Sequence, residues 1–238
     1  MTKKERIEGE LLTQTSQVKL TKFPFQVYSK QLEPKEGLEL LYRDGEENGK
    51  VMINPSGFPW ITLNLDPMGS IMRNNQHHTI LNSGYDLVVS ILEYLFEKYG
   101  EETKELVSFL QPVSWQGIPC YAISFDNPHF KYITYQMKEG ETFLSHCDSL
   151  KISEHMVLEL NRSIDDYDED LEEGEEIIIP NDYSPKMIIY VDRERLIPLM
   201  MKVFDDKGVY EVYQYYDVQV DPEFAEDEFT PEYRDYDF

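Results

Sequence analysis

The sequence is poor in cysteine, tryptophan and positive charge, and it has no long apolar run. Its 238 residues include 2 Cys and 2 Trp, with 22 Lys and Arg set against 46 Asp and Glu. Two cysteines exclude the disulfide framework that staples small secreted domains. Cys120 and Cys147 are expected as buried free thiols, the common state of an unpaired cysteine; one bridge between them is the alternative. The shortage of basic residues leaves a formal net charge of -24. Such a field repels phosphate backbones and anionic headgroups, which argues against nucleic-acid binding and polybasic membrane docking. No stretch reaches the length of apolar sequence that a membrane-spanning helix needs. The opening "MTKKERIEGE" lacks the apolar core of a signal peptide. H-E-x-x-H, paired C-x-x-C, G-x-S-x-G and Gly-rich phosphate loops are missing too, so no catalytic residue, metal or cofactor is nominated.

What is present is strand material. Hydrophobic residues make up 41% of the chain, and 17 Tyr and 12 Phe favour β structure. "GLELLYR" sets Leu38, Leu40 and Tyr42 opposite Glu39 and Arg43. "PWITLNL" sets Ile61, Leu63 and Leu65 opposite Thr62 and Asn64. Both read as half-buried antiparallel strands in a series from Leu12 to Leu65, wet on one side. "DGEENGK" (44–50) and "INPSGFP" (53–59) are turns by their Gly, Asn and Pro. Further strands are expected at about 104–113, in "IPCYAISFD", in "KMIIYVD", in "LIPLMMKVFD" and in "GVYEVYQYYDVQV", the last two joined by "DDKG". In "IPCYAISFD" the positions facing away from Tyr121, Ile123 and Phe125 are the small Cys120, Ala122 and Ser124, which leaves room for a close neighbour. The acidic tail keeps Phe224, Phe229, Tyr233 and Phe238, which predicts that it docks on the sheet.

One strong helix interrupts this pattern. "SGYDLVVSILEYLFEKYG" opens with Ser83 and Asp86 in capping-box spacing and stops at Gly100. Tyr85, Val88, Val89, Leu92, Phe96 and Tyr99 form one apolar face, and Leu87, Ile91 and Tyr94 widen it. A helix apolar on more than one side must be covered on more than one side. It is expected as a lid over the concave face of a curved sheet, with Tyr85, Val88, Val89, Leu92 and Phe96 toward an apolar ligand.

A second interruption, Tyr132 to Pro180, reads as βααβ. "YITYQMK" leads to the turn Gly140-Glu141-Thr142, a helix with Phe143, Cys147 and Leu150 inward, and a second helix capped by Ser153. Met156, Val157 and Leu160 point inward there, and the helix closes at Asn161 before the strand "EEGEEIIIP". The opening Lys138-Glu139-Gly140-Glu141-Thr142, the run "KISEHMVLELN" and this ending together resemble a LysM domain, over about a fifth of the chain. The resemblance implies binding of N-acetylglucosamine glycans such as peptidoglycan in a shallow groove. Its walls would be Gly140, Glu141, Thr142 and Phe143 on one side, and Asn161, Ser163 and Ile164 on the other. The loop 165–176 departs from the family pattern: nine of its twelve residues are acidic. That charge opposes the carboxylates of peptide stems, and a structural insert without sugar binding is the alternative. Asp166, Asp168 and Asp170 alternate as calcium ligands do, but Leu171 and Ile177 stand where an EF-hand loop needs Gly and Glu.

The rest of the chain, from "NPSGFPWITLNLDPMGSIMRNNQHHTI" to "IYVDRERLIPLMMKVFDDKGVYEVYQYYDVQVDPEFAEDEF", is similar to a family of uncharacterised bacterial envelope proteins. Their sheet resembles the Lol-type lipoprotein carriers: an antiparallel half-barrel with a helical lid over an apolar cavity. The resemblance implies a periplasmic or envelope location, although the signal sequence and leading helix usual in that family are not in this chain. The expected fold is thus mainly β (α+β), a half-barrel formed by 1–131 and 181–238 with 132–180 inserted as the LysM-like module. The expected function is non-catalytic binding of a lipid or lipoprotein acyl chain, together with the glycan. A rival is an interaction scaffold whose acidic loop and tail bind a basic protein. A hydrolase using His77 or His78 would need distant acids brought to them, because adjacent residues diverge on any regular element.

Overall fold

Fourteen strands and five α-helices are present among the described residues of the computed structural model, which are all except Asp168 and Asp170. The calcium spacing considered above therefore lies partly outside the described residues. The architecture is mainly antiparallel β with few helices, and the chain divides into two compact units, Met1–Gly84 with Tyr213–Phe238 and Tyr85–Val212.

The first unit runs β1 (Thr2–Ile7), β2 (Glu10–Thr21), β3 (Gln26–Glu33), β4 (Glu39–Arg43), β5 (Val51–Asn54) and β6 (Leu63–Leu65), each antiparallel to the one before. The sequence series began at Leu12 and missed β1, whose "TKKERI" is too polar to signal a strand. Pairing supplies what composition does not: Thr2 opposes Thr15 and Ile7 opposes Glu10, across a turn with positive φ at Glu8 and Gly9. On one face Val27, Tyr42, Val51 and Ile53 pack with Met72 of α1 (Ser70–Arg73) and with Ile80.

The opposite face was expected to be wet, and it is not. Tyr28 and Leu41 pack there with Phe229 and Tyr236 of the C-terminal tail. Tyr236 stacks on Tyr28 at 3.7 Å, and Lys19 Nζ sits 2.7 Å from Glu228. Glu39 is consequently sealed at 0% exposure. Its carboxylate accepts hydrogen bonds from Tyr28 Oη and Lys30 Nζ, both at 2.8 Å, and from the Asp237 N–H at 2.8 Å. Docking of the tail aromatics follows the expectation; a buried acid beneath them does not.

The second unit opens with α2 (Asp86–Tyr99) and α3 (Thr103–Leu106). Then come β7 (Val107–Phe109), β8 (Val113–Trp115), β9 (Ile118–Asp126), β10 (Tyr132–Gln136), α4 (Phe143–Leu150), α5 (Glu154–Leu160), β11 (Glu176–Pro180), β12 (Lys186–Asp192), β13 (Pro198–Asp205) and β14 (Gly208–Gln214). The strand expected at 104–113 is instead α3 followed by β7, because acidic Glu101 and Glu102 favour a helical start. Here the sheet order is β14-β13-β12-β9-β7, with β8 also on β9 and the path open at its β7 end. Cys120, Ala122 and Ser124 of β9 are all buried, as their small size suggested, and both cysteines are free.

β9 and β12 are hydrogen-bonded neighbours, with Asp126 opposite Lys186. The chain leaves the sheet after Asp126 and returns at the adjacent strand, so the βααβ segment is inserted between paired strands. β10 and β11 form their own antiparallel pair, Tyr132 opposite Pro180 and Gln136 opposite Glu176.

Candidate functional site

α2 begins later and is set differently from its sequence pattern. Its N-cap is Tyr85, without a side-chain cap, so the Ser83–Asp86 capping box does not form. Gly84, at φ +96, turns the chain first. Gly100 ends the helix as expected, at φ 52, with its N–H donating to Phe96 O. The C-terminal turn is anchored by Asp182, a fully buried carboxylate. Lys98 Nζ and Tyr99 Oη each donate to it at 2.7 Å, and Asn127 Nδ2 donates at 3.0 Å.

That anchor accompanies a definite facing of the helix. Ile91 and Leu95, one turn apart, are 2% and 0% exposed and join Leu106, Phe125, Met187, Val203 and Tyr210 in the core. Each such burial stabilises by about 1.5–3 kcal/mol. The expected lid residues occupy the neighbouring face: Tyr85, Val88 and Leu92 are half-buried, while Val89 and Phe96 are 45% and 46% exposed. The stripe thus exists, but the deepest packing belongs to Ile91, expected only to widen it, and to Leu95, which the periodicity did not single out. Burial pushes the Tyr85 hydroxyl up to about 12, so it stays a neutral phenol.

The inserted module is built by the local signals the sequence carries. Thr142 Oγ1 accepts the Ser145 N–H at 3.1 Å and Ser145 Oγ accepts the Thr142 N–H at 3.0 Å, a reciprocal cap on α4. Ser153 Oγ accepts the Met156 N–H at 3.3 Å and caps α5. Met137, Phe143, Cys147, Ile152, Val157, Ile177 and Ile179 form a core of the module's own. α5 serves two cores, since Val157 faces the module while Met156 enters the sheet's. Ser153 Oγ also lies 3.0 Å from Tyr210 Oη of β14, a buried hydrogen bond that ties module to sheet.

Of the seven expected glycan residues, four reach the surface. Gly140, at φ +75, Thr142 and Ser163 are exposed, and Glu141 is half-buried. Phe143, Asn161 and Ile164 turn inward at 1%, 8% and 5% exposure. Phe143 begins the inner face of α4, and Ile164 completes the module's core. Asn161 is held structurally: Nδ2 donates to Val157 O and Ile178 O, and Oδ1 accepts the Ile178 N–H, all at 2.7 Å. Phe143 also lies near Tyr167 of the acidic loop, with ring centroids 6.5 Å apart. Glu141 accepts Tyr135 Oη at 2.7 Å and the Lys138 N–H at 3.1 Å, which holds its carboxyl below the usual range. His146 stacks on Tyr135 at 3.8 Å, with Nδ1 3.5 Å from Glu141 Oε1, and burial pushes its pKa down.

A shallow cleft of about 520 Å³ holds Glu102, Glu105, Asp126 and His129, with His129 Nε2 2.6 Å from Glu102 Oε1. His77 is 2% exposed with Nε2 2.9 Å from Arg6 O, while the His78 ring lies 6.2 Å from that of Tyr213. The two rings sit 6.3 Å apart and nearly perpendicular, so they do not converge on one point. Among the described residues no group of three or more His, Cys, Asp or Glu is placed to hold a metal ion. No helix of the described residues is long and apolar enough to cross a membrane.

The model of a family described as protein of unknown function (DUF1571) matches residues 1–153. The chain belongs to the DUF1571 family. In this DUF1571 chain the matched part ends at Ser153, the cap of α5. No curated protein matches it. Among solved structures it is similar to MucB, at 11% identity and a TM-score of 0.38, covering 96% of this chain and 55% of MucB. It is also similar to a putative outer membrane lipoprotein-sorting protein domain from Vibrio parahaemolyticus, at 10% identity and TM-score 0.26, covering 87% and 63%. A DUF1329 family protein from Desulfovibrio piger matches at 10% identity and TM-score 0.34, covering 96% and 86%. The DUF1571 chain therefore spans less than two thirds of the first two.

Proposed function

We propose that this protein is a non-catalytic binder of an apolar ligand, the acyl chain of a lipid or lipoprotein, in the cell envelope. The ligand lies along the face of α2 that carries Tyr85, Val88, Val89, Leu92 and Phe96, and not in a half-barrel under the helix, where Ile91 and Leu95 fill the core. One observation carries this reading. α2 satisfies the core through Ile91 and Leu95 and still leaves Val89 and Phe96 45% and 46% exposed. A second apolar face that is only partly covered, with Val89 and Phe96 in water, fits a ligand of matching polarity better than water. Exposure to bacterial lipid extract, re-purification and mass spectrometry of what is carried over tests it; a chain that emerges lipid-free contradicts it.

A second reading concerns the inserted module. The module leaves Gly140, Thr142 and Ser163 exposed beside the half-buried Glu141, which suits a shallow site for an N-acetylglucosamine glycan. Retention on purified peptidoglycan, lost in Thr142→Arg, is the expected result. Equal retention of both proteins means that the loops do not read sugar.

A further inference from the structure

The loop between β5 and β6 carries three large apolar side chains that the protein leaves in water. Phe58, Trp60 and Ile61 are 83%, 76% and 59% exposed. The Phe58 and Trp60 rings pack edge to face on each other, 5.6 Å apart. Single exposed apolar residues are ordinary, whereas three within four positions mark a contact surface.

The loop is held in shape at some cost. Ser56 and Trp60 both adopt left-handed backbone, at φ 57 and φ 52, which disfavours side chains with a Cβ. The Ser56 N–H donates to Asn54 Oδ1 at 3.0 Å, and the Trp60 N–H donates to Gly57 O at 2.6 Å. Gly37 of the neighbouring turn makes room, since a Cβ there would lie 2.5 Å from Ser56 Oγ. Strain that persists while presenting rings outward points to use of those rings.

Charge narrows the partner. The chain is 29% charged, yet Val51–Leu65 contains no charged residue, and Val51–Tyr85 contains only Asp66 and Arg73. Arg73 is 3% exposed, so Asp66 is the one exposed charge within this stretch, and the acidic tail approaches only its base, where Asn54 Nδ2 donates to Asp237 O at 2.6 Å. Trp and Phe at a neutral loop tip suit the boundary between headgroups and acyl chains, where an amphipathic ring meets both phases. The net charge of -24 sets the lipid type, because it opposes approach to an anionic surface.

We infer that the β5–β6 loop docks the protein on the surface of a charge-neutral phospholipid bilayer by inserting Phe58, Trp60 and Ile61. This site shares no residue with α2, and acyl-ligand binding by α2 stands or falls separately.

Sedimentation of the full chain with phosphatidylcholine vesicles tests the inference. With Trp115→Phe as background, Trp60 is the only tryptophan, and its emission moves to shorter wavelength as vesicles are added. Phe58→Ser, Trp60→Ser and Ile61→Ser combined, all at exposed positions and so without effect on far-ultraviolet circular dichroism, lower retention about tenfold or more. Adding phosphatidylglycerol to the vesicles lowers retention at low salt, and added salt restores it. A chain that stays in solution with unshifted Trp60 emission overturns the inference and leaves the loop to a protein partner. Undiminished retention of the triple variant, or stronger retention on anionic vesicles, overturns it as well.

Discussion

Glu39 and His146 are titratable groups taken out of water, and each makes folding depend on pH. Burial works to raise the Glu39 pKa, but hydrogen bonds from Lys30, the Asp237 N–H and Tyr28 outweigh it and leave it below 4.5. Its stabilisation is complete above that value and is lost as pH falls through the folded-state pKa. His146 is lowered from 6.5 by burial, against the attraction of Glu141. The folded state then holds fewer protons than the unfolded one, so its stabilisation is complete above 6.5 and declines as pH falls. Thermal melts are expected to lose stability as pH falls below about 6.5, and His146→Phe, keeping the stack on Tyr135, flattens that loss. A parallel decline in the variant contradicts the assignment. At this scale the sequence was legible where signals are local: Ser153 caps the second helix as its position announced, while Thr142, read as the end of a turn, also caps the first. Glu39 was illegible, since one of its partners is Asp237, 198 positions away, and period-two alternation marks it as a wet residue.

α2 shows how far an element can be read from periodicity. Its existence and its Gly100 stop were plain, while its inner face was not. Apolar residues on both sides make the moment ambiguous, and the deciding contacts come from β9, β12 and β13, which lie later in the chain. β1 was missed for a related reason, because its pairing with β2 outweighs a Lys- and Glu-rich composition. The two faces of α2 predict different costs. Leu95→Ala is expected to cost about 2–5 kcal/mol, as a fully buried large-to-small change. Phe96→Ser, on the partly covered face, is expected to stay within about 0.5 kcal/mol. Denaturant melts of the two variants check this, and comparable losses would mean that both faces are core.

At the scale of the molecule, two compact antiparallel units account for the chain, and the second accepts a βααβ insert between paired strands. The insert was legible because its own core, its caps and its turn are encoded within 132–180. Of the seven residues expected to line a groove, Phe143, Asn161 and Ile164 lie inside, because the module's own packing needs them there. Charge is distributed unevenly, with an acidic chain surrounding a nearly neutral stretch at 51–85. The central claim is that the partly covered face of α2 holds an acyl chain. It is tested most directly by quantifying lipid recovered per chain after exposure to bacterial extract, for wild type and for Val89→Ser/Phe96→Ser. The account predicts lipid on the wild type and little on the variant, with equal thermal stability of the two. Equal recovery from both, or none from either, contradicts it.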